Sequence, residues 1–151
     1  MNNVYNTIFE VSLRVLMTLE AAPRDWLSAD RIAAADFICT YGKDFGVTND
    51  NLHGDNSYRY SEFALRRELV KEALKSLVAR CLADVTATAD GFAYTLSQDG
   101  GEYCAELSCG YADEYRELAQ AVKTLIADMT ERDIIALIHG RSLSSVQRRV
   151  D

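Results

Sequence analysis

Three sets of residues in this 151-residue chain have types and spacing that invite chemistry. The first is His53 with Asp55. A His-x-Asp pair can be half of a metal site or an acid–base couple. A usable metal site needs further ligands, and none can be identified, so turn structure or a surface contact is the expectation. The second is the four cysteines, Cys39, Cys81, Cys104 and Cys109. None forms a Cys-x-x-Cys pair, and neither His53 nor His139 lies near them, whereas zinc sites use clustered ligands. Reduced, mostly buried thiols are expected, because a free cysteine behaves as a small hydrophobe. The third is a row of cations, Arg67, Lys71 and Lys75, four residues apart and hence on one helical ridge.

Familiar catalytic signatures are missing. The chain has no Gly-x-Ser-x-Gly elbow, P-loop, His-Glu-x-x-His or dinucleotide fingerprint. Asp113 and Glu114 are adjacent on a solvent-facing helix and read as a solvated face. The expectation is a protein that is not an enzyme, with no catalytic residue, metal ligand or cofactor.

The cationic ridge raises the question of DNA. In a winged helix the helix before the wing enters the major groove. Residues 58–80 hold six bases against three acids, and Arg67, Lys71 and Lys75 are the candidate nucleic-acid contacts. Glu68 and Glu72 stand three residues before Lys71 and Lys75 and partly neutralise them. Residues 81–138 hold eleven acids and three bases, and the full chain carries a net charge of −7. Phosphate-binding faces are normally basic. A solvated or protein-facing helix is therefore favoured over groove reading.

A partner surface is the third possibility. Residues 41–67 mix aromatic and arginine side chains, both enriched in interface hot spots. The candidate partner-binding residues are Asp44, Phe45, Leu52, His53, Tyr58, Arg59, Arg66 and Arg67. The competing reading is that Phe63 and Phe45 are core and the arginines solvated. Leu52, the one large apolar residue of a polar loop over 47–57, either tucks onto the core or meets a partner.

The elements that would position these residues follow from periodicity and capping. Val4, Ile8, Val11, Val15 and Leu19 recur at helical spacing, and Pro23, the single proline, ends that helix. A second helix begins near Ser28, a good N-cap, and Gly42 or Gly46 closes it. A third spans 58–80. Then come a strand over 84–88, a tight turn at Ala89-Asp90-Gly91, a strand over 92–96 and a helix capped by Ser97. Gly110 precedes a further helix carrying Tyr115, Leu118 and Val122. Thr130 and Asp133 are spaced like a capping box before a very apolar helix, DIIALI, which either closes the core or docks on a partner. The predicted fold class is mainly α: a winged helix-turn-helix core, a short β-hairpin wing and additional C-terminal helices. Residues 1–139 are expected to form one domain with its helical extension, and 140–151 a weakly structured tail.

Composition agrees with an ordinary globular domain, 48% hydrophobic and 26% charged. No apolar run approaches the roughly 18 residues of a membrane span, and the start of the chain lacks a basic and then apolar leader. A cytoplasmic protein with no membrane contact is expected.

The segments NTIFEVSLRVLMTLEA, DFICTYGKDFG and NLHGDNSYRYSEFALRRELVKEALKSLVARCL, with the wing ADGFAYTL, resemble the middle component of bacterial ABC-three-component systems. The likeness runs from about Val4 to the helix near Leu107. It implies a non-catalytic adaptor that links an SMC/Rad50-like ABC ATPase to an effector, often a nuclease, in defence against phages and plasmids. On that reading, direct DNA contact is possible only within the complex. The alternative class is a winged-helix transcription regulator.

Overall fold

The computed structural model describes residues 6–52 and 62–150, the last ten of these by backbone alone. Helix α1 spans Ile8–Ala21, and Thr7 caps it by accepting a hydrogen bond from the Glu10 amide. A two-residue strand, β1 (Leu27–Ser28), leads into α2 (Ala29–Thr40), where the Ser28 hydroxyl accepts from the Arg31 amide. A short 3-10 turn, Gly42–Phe45, follows and is closed by Gly46 in the left-handed region. The chain continues through α3 (Glu62–Ala79), β2 (Ala83–Thr88), β3 (Gly91–Leu96), α4 (Gln98–Glu106), α5 (Gly110–Ile126) and α6 (Glu131–Val150).

The fold is mainly α with a three-stranded antiparallel sheet in the order β1-β3-β2. The β2–β3 hairpin is the wing. Thr88 pairs with Gly91 across the turn, and Leu27 of β1 pairs with Tyr94 of β3. The positive φ of the turn falls on Gly91 alone, at 125°. A glycine accepts that conformation without a Cβ clash, so Asp90 is spared it. The short β1 was not anticipated; two residues carry too little pattern to announce a strand.

Helix α2 is the centre of the molecule. From Ile32 to Thr40 every residue is buried, as expected of a helix covered on all sides. One face, with Ile32 and Ala33, joins Val11, Val15, Leu19, Val70 and Leu74 in a core shared with the sheet. The other face, with Phe37 and Ile38, packs on Tyr115, Val122, Ile134 and Ile138 from α5 and α6. The apolar DIIALI helix therefore closes the core. Leu52 is half-buried and packs against this same cluster, so its polar loop is tacked down at that point.

Two boundaries differ from expectation. Helix α2 stops at Thr40, before both candidate glycines. The 140–151 tail, expected to be weakly structured, continues α6 as helix to Val150. Residues 141–150 contain no glycine or proline, and extending an existing helix avoids the unfavourable nucleation step.

Helix α3 ends in a Schellman motif. The Leu82 amide bonds the Leu77 carbonyl at 2.9 Å, and the Cys81 amide bonds the Val78 carbonyl at 3.0 Å. Glycine usually occupies the left-handed position of this motif. Here it is Cys81, at φ 63°. A side chain in that region costs roughly 1–2 kcal/mol, partly offset by the entropic cost of glycine. Cys81→Gly is expected to stabilise the protein by about 0.5–1 kcal/mol, read as a higher midpoint in urea. A lowered midpoint would mean that the thiol makes contacts that outweigh the strain.

Candidate functional site

The expected partner patch over 44–67 does not form as a continuous surface among the described residues. Phe45 is buried, 7% exposed, and stacks edge-on against Phe37. Arg66 is 1% exposed. Both are interior groups, which corrects their placement on a partner surface. Asp44 is half-buried in the 3-10 turn and Leu52 half-buried on the core. His53, Tyr58 and Arg59, like Asp55, lie outside the described residues.

Arg66 belongs to a buried ionic cluster that joins four helices. Arg14 of α1 donates from Nε to Asp36 Oδ1 at 2.8 Å and from Nη2 to Oδ2 at 3.3 Å. Arg66 Nη1 lies 3.6 Å from Asp36 Oδ2 and donates to Thr40 Oγ1. The Tyr115 hydroxyl of α5 donates to Asp36 Oδ1 at 2.7 Å. Arg14 and Asp36 are fully buried. Burial by itself would push the Asp36 carboxyl up; the two guanidinium groups, with hydrogen bonds from Arg14 and Tyr115, outweigh it and hold the pKa at about 2. Burial pushes the nearby Cys39 thiol well up, so it stays protonated and a poor nucleophile. A buried ion pair is weak evidence for added net stability, because desolvation can offset its attraction. The cluster orients α3 against α1, α2 and α5.

On the outer side of α3 lies a groove of about 680 Å³, bounded by α3, the wing and the starts of α2 and α6. That volume falls in the range of small-ligand sites, roughly 300–1,000 Å³. Two large apolar side chains stand open on it: Trp26, 50% exposed, and Phe92, 63% exposed. Such residues left in water mark contact surfaces when they gather in one place. The groove is also braced. The Ser28 hydroxyl donates to Glu131 at 2.6 Å, and Arg31 donates to the Met129 and Ile126 carbonyls, both at 2.9 Å. These bonds tie the start of α2 to the α5–α6 junction.

The cationic ridge borders this groove but is not free. Arg67 makes a two-pronged pair with Asp30, at 3.0 and 2.9 Å. Lys71 lies 3.5 Å from Glu68 and Lys75 3.8 Å from Glu72. The i,i+3 neutralisation expected from the sequence is in place, and Asp30 extends it to Arg67. Five carboxylates line the groove against three cations.

Trp26, Phe92, Asp90 and Glu131 escaped the sequence reading as site residues. The signal that could have found Trp26 is its position: the single tryptophan sits in the short turn between Pro23 and the Ser28 cap, where no helical stripe can bury it.

A family model described as ABC-three component (ABC-3C) system Middle Component 2 matches residues 4–148. No curated protein and no solved structure matches.

Proposed function

The chain belongs to the middle component 2 family of ABC-three-component systems, and from that membership we propose that it is the non-catalytic adaptor of such a system. In this reading it links an SMC-like ABC ATPase to an effector, such as a nuclease, in cytoplasmic defence against phages and plasmids. It works by holding partners rather than by chemistry. The observation that carries the reading is the groove beside α3: open aromatic side chains, with every lysine of the ridge already facing a glutamate. That surface suits a protein contact, since exposed Trp and Phe bury well against a partner. It suits a phosphate backbone poorly, because neutralised cations release few counterions.

The second reading, a DNA-binding regulator, is favoured by one observation: α3 lies beside a hairpin wing, as in duplex readers. Co-expression of the chain with the ATPase and effector of its system separates the two. The adaptor is expected to co-purify in a stoichiometric complex. The double variant Lys71→Gln, Lys75→Gln is expected to change stability by no more than about 0.5 kcal/mol, because both lysines are exposed, and to leave the complex assembled. Tight binding of a defined duplex by the isolated protein at physiological salt, lost in this variant, would overturn the adaptor reading.

A further inference from the structure

The geometry points to the groove between α3 and the wing as the docking site of a basic segment from a partner protein. One apolar or aromatic side chain of that segment sits against Trp26 and Phe92, and its lysine or arginine side chains sit beside Asp90 and Glu131. This rests on the adaptor reading and gives the chemistry of one of its partners.

The argument is one of charge and exposure. The cations that line the groove already have partners: Lys71 and Lys75 face glutamates, and Arg31 is bound to two backbone carbonyls. Asp90 and Glu131 also line it, and neither has a cation within ion-pair distance among the described residues. Glu131 accepts the Ser28 hydroxyl. With five carboxylates lining the groove against three cations, and Arg67 beside it paired with Asp30, an incoming chain meets a net excess of negative charge beside open aromatic surface. Complementary charge selects a basic occupant and steers its approach, while an aromatic pocket supplies most of the affinity. Duplex phosphates would meet the same carboxylates as repulsion. A second copy of this chain, at −7, would approach against its own field. The walls are preformed, since β3 is paired on both sides and α2 is tied to α6. Docking therefore loses little to ordering the receptor.

Trp26 is the sole tryptophan of the chain, so its emission reports on the groove directly. The probes are two synthetic hexapeptides, Lys-Lys-Phe-Leu-Lys-Lys and Glu-Glu-Phe-Leu-Glu-Glu, and a random-sequence DNA duplex, titrated into the full chain. The basic peptide is expected to give a saturable blue shift that weakens with salt; the acidic peptide and the duplex are expected to give none. Asp90→Lys and Phe92→Ser, both at the exposed wing, are each expected to weaken peptide binding at least tenfold with thermal melting unchanged. In the co-expressed system, the double variant Asp90→Lys, Phe92→Ser is expected to lose one partner from the complex. No shift with the basic peptide up to about 1 mM, equal binding of the acidic peptide, or displacement of the peptide by duplex would overturn the proposal. So would self-association abolished by Phe92→Ser, which would make the occupant a second copy. A complex that assembles normally with the double variant sinks the groove but leaves the adaptor standing. A wild-type chain that enters no complex sinks the adaptor reading and the groove proposal with it.

Discussion

Asp36→Asn is expected to destabilise the protein by about 3–5 kcal/mol, the usual cost of removing one partner from a buried ionic cluster. Asp36 pairs with Arg14 and also faces Arg66. Asparagine matches it in shape but carries no charge, so two buried guanidinium groups would lose the Asp36 charge, and Arg66 would lean on the more distant Glu62 at 3.9 Å. Arg66 is loosely held otherwise: its Nη2 lies 3.9 Å from Glu62, and its Nε and Nη2 atoms are buried without a hydrogen bond. Against a typical total of roughly 5–15 kcal/mol, such a loss removes much of the stability. Urea denaturation should show a lower midpoint with an unchanged slope. A change under about 1 kcal/mol would mean that the cluster is hydrated or loosely held. Replacing all three charges together, Arg14→Met, Asp36→Leu and Arg66→Met, is expected to be near neutral, because no fully buried charge of the cluster remains.

The same cluster sets an acid limit. The folded-state pKa of Asp36 is depressed to about 2, below an unfolded value near 4. A depressed carboxylate contributes fully above its unfolded pKa, and the contribution is lost as pH falls through the folded value. The wild-type protein should therefore lose stability between about pH 4 and pH 2. That part of the slope should be missing in Asp36→Asn.

Gly100→Ala is expected to destabilise by about 1–3 kcal/mol or more, the range for overpacking, although helix propensity alone predicts a gain of about 1 kcal/mol. The sign reverses because of what a Cβ would meet. It would fall 2.0 Å from the Leu82 carbonyl oxygen and 2.8 Å from Leu96 Cδ1. The first of these is backbone and cannot swing aside. Helix α4 would have to lift away from the turn that feeds β2, loosening the base of the wing. Gly101 is the internal control. A Cβ there meets only Leu96 Cδ2 at 3.7 Å, so Gly101→Ala should stabilise by about 0.5–1 kcal/mol. Paired thermal melts read the contrast. If both variants stabilise, α4 does not pack against Leu82 as closely as the distances say.

The wing pairing is another case in which neighbouring residues carried the information. Asp90-Gly91 between two short alternating runs announces a hairpin, and a hairpin forms between Ala83 and Leu96. Ser28, Ser97 and the Thr130–Asp133 box announce helix starts, and each makes its capping bonds. The ridge of Arg67, Lys71 and Lys75 was visible too, together with two of its three neutralising acids. Arg66 was misplaced for an identifiable reason. It stands next to Arg67, and arginine is rarely buried without a partner. Its partner is 30 residues away, in a helix whose one buried acid, Asp36, interrupts the otherwise apolar run IAAADFIC.

Caps, turns and stripes were readable because they depend on residues within four or five positions of each other, and backbone geometry fixes what such neighbours can do. The buried charges and the groove were not readable in that way. Arg14 meets Asp36 across 22 residues, Asp36 meets Tyr115 across 79, and Ser28 meets Glu131 across 103. Whether a charge is inside and paired, or outside and free, depends on which helices cover it. The order of residues therefore determined the elements, the hairpin and the family likeness. Packing of α5 and α6 behind α2, and of the wing beside α3, determined which arginines are structural and which aromatic surface stays exposed, because burial is a property of the assembled helices and not of any one segment.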